Sequence, residues 1–294
     1  MERTKREERA LAFRRLHAGE RALVLVNAWD AASARLLEDA GQSAIATSSA
    51  GMAWSLGYAD GEGMGAGELI AACGRICRVA TAPVSVDIER GFGGTPKDVC
   101  GVVRALLEMG VVGINIEDGV TPGSGQLAPA ETLAERIAAV RTLARDAAMD
   151  LFINARIDTY FAPSIGAAAR YDETVRRAHI YVQAGADGIF VPGLTDVDEI
   201  ARLARAVARP LNVYAGHDGV PPVGALERAG VRRVSLGCGP FQAALALTRR
   251  IAREALERGT YAAMTADMLS AGEANGLFPA PATSGAAVTG ARNE

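Results

Sequence analysis

The fold of this chain is decided by a stretch that reads Val84-Ser85-Val86-Asp87-Ile88-Glu89-Arg90-Gly91-Phe92-Gly93-Gly94. Its apolar beginning predicts a buried strand, and two carboxylates, Asp87 and Glu89, stand where that strand gives way to glycines. Because the two acids are two residues apart, an extended backbone directs both side chains to one face. The glycines indicate a turn where another group approaches the backbone closely.

Outward from this stretch, the chain alternates short apolar runs with helical patterns. A helical pattern over Lys97–Met109 leads to a second apolar run that also ends in carboxylates and glycine, Glu117-Asp118-Gly119. Strands are predicted at Leu23–Asn27, Ala44–Thr47, Val84–Ile88, Val112–Ile116, Leu151–Ala155, Gly188–Val191, Leu211–Tyr214 and Arg233–Leu236. Helices are predicted at Ala31–Ala40, Ala66–Val79, Lys97–Met109, Pro129–Ala147, Ala167–Ala184, Val197–Ala206, Val223–Ala229 and Phe241–Arg258. Repetition of strand then helix predicts a parallel sheet covered on both faces.

Eight such units favour a closed (β/α)8 barrel of the TIM type over an open doubly wound sheet. The open sheet would need a Gly-x-Gly-x-x-Gly turn after the first strand, but the chain reads Asn27-Ala28-Trp29-Asp30 there. Asp30 instead predicts a helix N-cap, with Ser33 three residues on. Glycines that follow four of the helices predict left-handed caps at Gly41, Gly110, Gly185 and Gly230.

The domain prediction is one barrel over residues 1–276, followed by a tail over residues 277–294. Met1–Gly19 is predicted as an amphipathic helix outside the barrel. Thr260–Ala271 also reads as helical but lies outside the eightfold pattern, so it is expected to pack on a neighbouring subunit. The tail is rich in Ala, Pro, Gly, Ser and Thr, which is typical of a mobile segment.

Composition and charge exclude several classes of protein. The net charge of −3 argues against nucleic acid or an anionic membrane as a partner. No apolar run approaches about 20 residues, so no membrane helix is expected. The N-terminus lacks the apolar core of a secretion signal, and the four cysteines are expected to be free and mostly structural. A cytoplasmic location follows from this, and with only Lys5 and Lys97 as lysines, a lysine Schiff base is not expected.

The strand ends supply the candidate active site, because barrel enzymes place their chemistry at the C-terminal ends of strands. The candidates there are Ser48, Ser49, Ala50, Gly51, Asp60, Asp87, Glu89, Glu117, Arg156 and Asn212. Carboxylates are the ligands preferred by Mg²⁺, for which Mn²⁺ can substitute. Arginine can clamp a substrate carboxylate with two hydrogen bonds. The rim therefore predicts Mg²⁺ at Asp87, Glu89 and Glu117, binding a small anionic carboxylate.

Each candidate also has a structural explanation. Asp87 or Glu89 alone could be a solvated charge at a strand end, and Arg156 could pair with Glu117 as scaffolding. Ser48 and Ser49 could be turn residues.

The histidines and the last glycine turn offer weaker signals. No nucleophilic triad is visible. His17 and His179 fall on outer helices, where a surface position is expected, whereas His217 could reach the barrel mouth. The Gly237-Cys238-Gly239 turn is at a position where barrels often bind phosphate, but a plain turn at the start of a helix explains it better.

Six co-linear motifs between about Leu11 and Gly259 resemble the isocitrate lyase/phosphoenolpyruvate mutase superfamily. They are Asn27 to Arg35, Ala46 to Gly51, Ser55 to Gly61, Val86 to Gly93, Asn115 to Asp118 and Ala155 to Asp158. The resemblance implies a Mg²⁺-dependent barrel that makes or breaks C–C or P–C bonds beside a carboxylate through an enolate. It also implies a homotetramer, a dimer of dimers, in which a C-terminal helix is exchanged between subunits.

The resemblance also implies roles for single residues. Asp87 resembles the principal metal-binding aspartate, and Glu89 takes the place of a second strand-three carboxylate that is aspartate in many relatives. Asp60 resembles an aspartate of the second loop, Glu117 a glutamate of the metal shell, and Arg156 the substrate-clamping arginine. Ser48, Ser49 and Ala50 resemble the segment that binds the substrate carboxylate.

Departures from the family narrow the reaction. Isocitrate and methylisocitrate lyases carry a Lys-Lys/Arg-Cys-Gly-His loop after strand four, whereas Glu117–Gln126 contains neither Cys nor His. Gly123 and Pro192 stand where the mutase has a lysine and a histidine. The chain thus resembles the phosphonomutase-like branch, and the Gly-rich loop Thr121–Gln126 is expected to act as a mobile lid.

The resulting functional prediction is a Mg²⁺-dependent lyase. It would cleave a C–C bond of a small 2-oxo or 2-hydroxy di- or tricarboxylate, similar to oxaloacetate or a substituted malate, with Arg156, Asp60 and Glu117 in catalytic roles. Candidate proton donors are Tyr58, Tyr160, Ser124 and a metal-bound water. Two alternatives stay open: a phosphonopyruvate-type P–C enzyme, and an inactive barrel that only binds carboxylates.

Overall fold

The predicted barrel is confirmed by the computed structural model, which describes residues 3–120 and 125–278. Every strand pairing in the barrel is parallel, and the strands neighbour one another in the order β1-β9-β8-β7-β6-β5-β4-β3-β2. The strands are β1 (Leu23–Leu25), β2 (Asn27–Ala28), β3 (Ile45–Thr47), β4 (Val84–Asp87), β5 (Gly113–Glu117), β6 (Phe152–Arg156), β7 (Gly188–Val191), β8 (Leu211–Tyr214) and β9 (Val231–Ser235).

The barrel closes through its first strand, which is split in two at Val26. Strand β1 pairs with β9 and β2 pairs with β3, so the two short pieces together form one of eight staves. The backbone groups of Val26 are satisfied by the side chain of Gln42, with a donor–acceptor distance of 2.8 Å to the Val26 N–H and 3.1 Å to its carbonyl oxygen. The break therefore leaves no backbone group of Val26 unpaired.

Helices surround the barrel and connect its strands. They are α1 (Arg3–Ala18), α2 (Ala31–Asp39), α3 (Ser49–Ser55), α4 (Ala66–Val79), α5 (Pro96–Glu108), α6 (Ala130–Asp146), α7 (Ala167–Ala184), α8 (Val197–Val207), α9 (Val223–Arg228), α10 (Gly239–Arg258), α11 (Ala262–Thr265) and α12 (Ala271–Gly276). Asp30 caps α2 reciprocally with Ser33, as predicted. The four predicted cap glycines all have φ between +89° and +115°, which L side chains rarely adopt.

Helix α1 closes the N-terminal end of the barrel, and its inner face corrects one prediction. His17 is buried, not on the surface, because its ring stacks on Phe152 at 4.1 Å between centroids. Phe13 lies edge-on to both rings. The helical pattern correctly places residue 17 on α1, but nothing in it shows that the helix caps the barrel.

The segment after α10 also differs from the prediction. Within Thr260–Ala271 the chain is helical only over α11, Ala262–Thr265, and α12 begins separately at Ala271. The Glu254 carboxylate accepts hydrogen bonds from the backbone N–H groups of Ala262 and Ala263 at the start of α11. Ser270 and Glu273 form a capping box that begins α12 anew.

The remaining predictions concern the proposed lid, the C-terminal tail, the cysteines and the absence of a membrane helix. Residues 121–124, within the proposed lid, and residues 279–294, most of the tail, lie outside the described residues. All four cysteines are free, and Cys73 is buried. Within the part of the chain that the structure describes, no helix is both long and apolar enough to cross a membrane.

Candidate active site

A cavity of about 250 Å³ opens at the C-terminal end of the barrel. Asp87, Arg156 and Tyr214, the last residues of β4, β6 and β8, all face it. The cavity is lined by Asn27, Thr47, Ser48, Ser49, Ala50, Asp60, Asp87, Asn115, Arg156, Phe161, Phe190, Pro192, Tyr214, Ser235, Gly237 and Cys238. The position matches the place where TIM barrels carry their active sites.

Asp87 is held rigidly by the neighbouring strand. Its backbone N–H donates to Thr47 Oγ1 at 2.9 Å, and Ser49 Oγ donates to its Oδ2 at 2.9 Å. Burial raises the pKa of Asp87, whereas the charge of Arg156 and the Ser49 hydrogen bond act in the opposite direction. One carboxylate oxygen, Oδ1, is left with only a long contact of 3.4 Å from the Glu89 N–H.

Glu89 lies beside Asp87 but does not follow the strand alternation that its spacing predicts. Strand β4 ends at Asp87, and Glu89 has φ +48°, in the left-handed region. Its Oε2 accepts from the Glu62 N–H at 2.5 Å, while its Oε1 is buried without a hydrogen-bond partner. Burial and the charges of Asp87 and Asp60 raise the pKa of Glu89 to about 8. Residues held in such strained conformations concentrate at functional sites.

Arg156 forms ion pairs with two carboxylates, those of Asp158 and Glu117. Its Nε and Nη2 donate to both oxygens of Asp158 at 2.7 and 3.0 Å, and its Nη1 lies 2.9 Å from Glu117 Oε2. Glu117 and Arg156 are direct neighbours across β5 and β6, which explains the ion pair. Burial raises the pKa of Glu117 well above its usual range, although Arg156 opposes the shift. The scaffolding contact that the sequence allows is thus present, with Arg156 still facing the cavity.

The other sequence candidates divide into those on the cavity wall and those behind it. Ser48, Ser49, Ala50 and Asp60 line the cavity. Behind the wall, the Gly51 N–H is engaged by Ser48 Oγ, and Glu117 faces an adjoining depression with Glu62 and Arg90. Asn212 is buried beneath the wall, where its Oδ1 accepts from Ser235 Oγ at 3.2 Å.

The structure also brings in residues that sequence reasoning missed. Tyr214 and Cys238 lie side by side on the cavity wall, with Tyr214 Oη 3.7 Å from Cys238 Sγ. Tyr214 ends the predicted seventh strand, so its position at a strand end was a usable signal. Among the described residues that line the cavity, Tyr58, Tyr160 and His217 are absent, and Ser124 lies outside the described part of the chain.

The electrostatics of the site favour a bound cation. Five carboxylates (Asp60, Asp87, Glu89, Glu117 and Asp158) lie around Arg156, whose charge Glu117 and Asp158 already offset. The charge of the buried Arg233 also acts on Asp87, so the acids still outnumber the arginines. Within residues 3–120 and 125–278, no three acidic, His or Cys side chains converge tightly enough to hold a metal by themselves. The donor set therefore fits an ion bound directly by Asp87, with hydrating waters held by the other acids. The Glu89 Oε1, which is buried without a hydrogen-bond partner, is available to accept from such a water.

Comparison with known proteins identifies similar chains. Residues 13–256 match the phosphoenolpyruvate phosphomutase family. The chain is 32% identical to the 2-methylisocitrate lyase of Aeropyrum pernix, over 86% of this chain and 82% of that one. It is 28% identical to the oxaloacetate decarboxylase of Ectopseudomonas mendocina, over 86% and 87%. A crystal structure of a candidate lyase/mutase from Burkholderia cenocepacia J2315 matches with a TM-score of 0.87 and 35% identity, over 95% of this chain and 98% of that one.

Proposed function

The chain belongs to the phosphoenolpyruvate phosphomutase family, within the phosphoenolpyruvate mutase/isocitrate lyase superfamily, and from that premise we propose that it is a Mg²⁺-dependent carbon–carbon lyase. Its substrate would be a small 2-oxo or 2-hydroxy dicarboxylate, cleaved through an enolate. The observation that carries the proposal is the acidic group around Asp87, which faces Arg156 across one cavity.

The proposed metal site is centred on Asp87. Its carboxylate would bind Mg²⁺ or Mn²⁺ directly, and Asp60, Glu89 and Glu117 would hold the waters of the ion. When bound, the ion supplies Lewis-acid stabilisation for the enolate oxygen of the substrate. The surplus of carboxylates over basic groups and the buried, unpartnered Glu89 Oε1 support this assignment.

Binding of the substrate is assigned to Arg156 and the Ser48–Ala50 segment. Arg156 uses Nε and one N–H of Nη2 for Asp158, so other N–H groups remain for a substrate carboxylate. Because its partners fix the guanidinium, binding costs little side-chain entropy. The same positive charge would stabilise the enolate as it forms.

The cavity favours a dicarboxylate over a tricarboxylate. Arg156 is the single basic side chain among the described residues that line it, and the segment 121–124 contains no basic residue. Phe161, Phe190 and Pro192 form an apolar wall. A third substrate carboxylate would therefore be buried without a cationic partner, which is costly. Oxaloacetate and alkyl-substituted malates carry two carboxylates and avoid this cost, whereas 2-methylisocitrate carries three.

Parallel assays with Mg²⁺ test the proposal on oxaloacetate, 2-alkylmalates, 2-methylisocitrate and phosphonopyruvate. We expect turnover of a dicarboxylate that disappears with EDTA and with Asp87→Asn. The matched control is Asp146→Asn, which removes an exposed carboxylate that pairs with Arg145 at the end of α6, where neither residue lines the cavity. Turnover of phosphonopyruvate alone would favour a P–C enzyme on this scaffold. Tight oxalate binding without any turnover would favour a carboxylate-binding protein.

We also propose that the chain forms a homotetramer with an exchanged C-terminal helix. Supporting this, the chain from α10 to α12 exposes large apolar side chains, with Leu256 87% exposed and Met268 61% exposed. Such side chains are unusual on a free surface when they cluster. A cytoplasmic location is proposed on the basis of four free cysteines.

A further inference from the structure

We propose that Tyr214 is the acid that protonates the enolate, an inference that rests on the lyase function proposed above. The enolate of a dicarboxylate lyase must receive a proton at carbon, and the loop that supplies an acid in related lyases has neither Cys nor His in this chain. Apart from a metal-bound water, the candidates to deliver the proton are side chains on the cavity wall.

The ionisable groups on the wall leave few choices. Among the described residues, those that line the cavity and titrate are Asp60, Asp87, Arg156, Tyr214 and Cys238. Both aspartates belong to the proposed metal site, and arginine does not release its proton at neutral pH. Tyr214 and Cys238 remain, and they form one contact pair.

Tyr214 is better placed than Cys238 to give up a proton. The Cys238 thiol donates to Gln242 Oε1 at 3.8 Å, which directs its hydrogen towards α10. The Tyr214 hydroxyl has only long contacts, 3.4 Å to the Gly216 carbonyl and 3.7 Å to Cys238 Sγ. Its hydrogen is therefore weakly held and can transfer to a ligand.

Two glycines make room for the Tyr214 ring. A Cβ atom built on Gly216 would lie 2.3 Å from Tyr214 Oη, and one built on Gly237 would lie 2.5 Å from its Cε2. Burial raises the pKa of Tyr214, and the hydrogen bond with Cys238 adds to the effect, so the hydroxyl stays protonated between turnovers. The backbone thus fits this ring into the wall as a neutral acid.

Oxaloacetate would react in two steps, cleavage of a C–C bond and protonation of the enolate. The C3–C4 bond breaks, carbon dioxide leaves, and the bonding pair remains on the enolate. The Tyr214 O–H bond then breaks, its proton forms a new C–H bond at C3, and pyruvate results. The phenolate regains a proton from water at the cavity mouth, so one solvent proton is consumed per turnover.

The test follows two reactions of the same Mg²⁺-loaded enzyme. One is carbon dioxide release from oxaloacetate, and the other is exchange of pyruvate methyl protons for deuterium in D₂O, followed by NMR. By microscopic reversibility, the acid that protonates the enolate is the base that removes a methyl proton. Tyr214→Phe should lower exchange by about 100-fold or more. Carbon dioxide release in a single turnover, with enzyme in excess over oxaloacetate, should fall less than tenfold, because bond cleavage precedes protonation.

Matched variants separate the outcomes. Tyr58→Phe, which changes an exposed tyrosine off the cavity wall, should leave both reactions as in the wild type, and Cys238→Ala should lower exchange less than tenfold. The proposal is overturned if Tyr214→Phe exchanges within threefold of wild type, if it loses both reactions equally, or if Cys238→Ala alone abolishes exchange. If wild-type enzyme with Mg²⁺ performs neither reaction, the lyase function itself fails and the assignment of Tyr214 falls with it.

Discussion

Arg156 shows, at the scale of a single residue, how one side chain combines structure and binding. Its ion pair with Glu117 joins two neighbouring strands, and its bidentate bond to Asp158 fixes the plane of the guanidinium. Burial alone would lower the pKa of Arg156, but the charges of Asp158 and Glu117 outweigh it and raise the pKa. The cation is therefore permanent and preorganised for an anionic substrate.

Arg156→Lys should lower kcat/KM for the dicarboxylate substrate about 30- to 150-fold. Lysine keeps the charge but cannot form the planar fork, so about 2–3 kcal/mol of charged hydrogen bonding is lost. Steady-state kinetics with Mg²⁺ measures the effect. Arg145→Lys is the control, since Arg145 pairs with Asp146 on the surface. An Arg156→Lys enzyme within threefold of wild type would contradict the assigned role.

Helix α1, at the scale of an element, acts as a plug at the N-terminal end of the barrel. His17 and Phe13 insert against Phe152 of β6, and the His17 Nδ1 lies 2.8 Å from the Phe13 carbonyl oxygen. The site is at the opposite end of the strands, so this packing supports the fold and not the chemistry.

His17 should make the stability of the protein fall with acid. Burial, assisted by the charge of Arg233, lowers the pKa of His17 from 6.5 to about 3. Between these values the unfolded chain binds more protons than the native one. The free energy of unfolding should therefore fall as pH drops below 6.5, by up to about 1.4 kcal/mol per pH unit, until the native histidine also protonates.

Urea unfolding of wild type and His17→Gln at several pH values measures this dependence. From pH 6.5 to 4.5, wild type should lose about 2 kcal/mol more than the variant, whatever their difference at neutral pH. His179→Gln is the control, because His179 is exposed on the outside of the barrel. Parallel pH profiles for wild type and His17→Gln would show that His17 is not the group responsible.

The whole molecule shows which features a sequence determines. Strands and outer helices were predictable, because burial on both faces makes each strand a continuous apolar run and glycine caps separate the elements. The role of α1 as a plug was not predictable. An amphipathic pattern shows that one face of a helix is buried, but not which part of the protein that face packs against. The start of α3 at Ser48 could not be predicted, because a serine is equally typical of a turn and of a helix N-cap.

The candidate site was predictable only in part for a similar reason. Asp87 and Arg156 end strands, so their position followed from the barrel. Glu89 departs from the strand geometry at a positive φ, which spacing cannot show. Tyr214 and Cys238 lie in contact at the ends of the paired strands β8 and β9, but the sequence alone does not show that the Tyr214 hydroxyl reaches the Cys238 thiol.

The proposed assembly makes a prediction about solution size. Leu256→Glu should convert the proposed tetramer to smaller species, because a charge would replace the most exposed large apolar side chain of α10. Light scattering after size exclusion measures the mass. Leu11→Glu on α1, where Leu11 is 48% exposed, is the control and should leave the mass unchanged. A wild-type mass of one chain would contradict the assembly.

The central claim is that Asp87 anchors a divalent cation at the barrel mouth. Isothermal titration calorimetry with Mg²⁺ in the presence of oxalate, an enolate mimic, tests it most directly. We predict one binding event per chain for the wild type, retained in Asp146→Asn and lost in Asp87→Asn without a drop in melting temperature. Absence of Mg²⁺ and Mn²⁺ binding to the wild type, or undiminished binding to Asp87→Asn, would contradict the account.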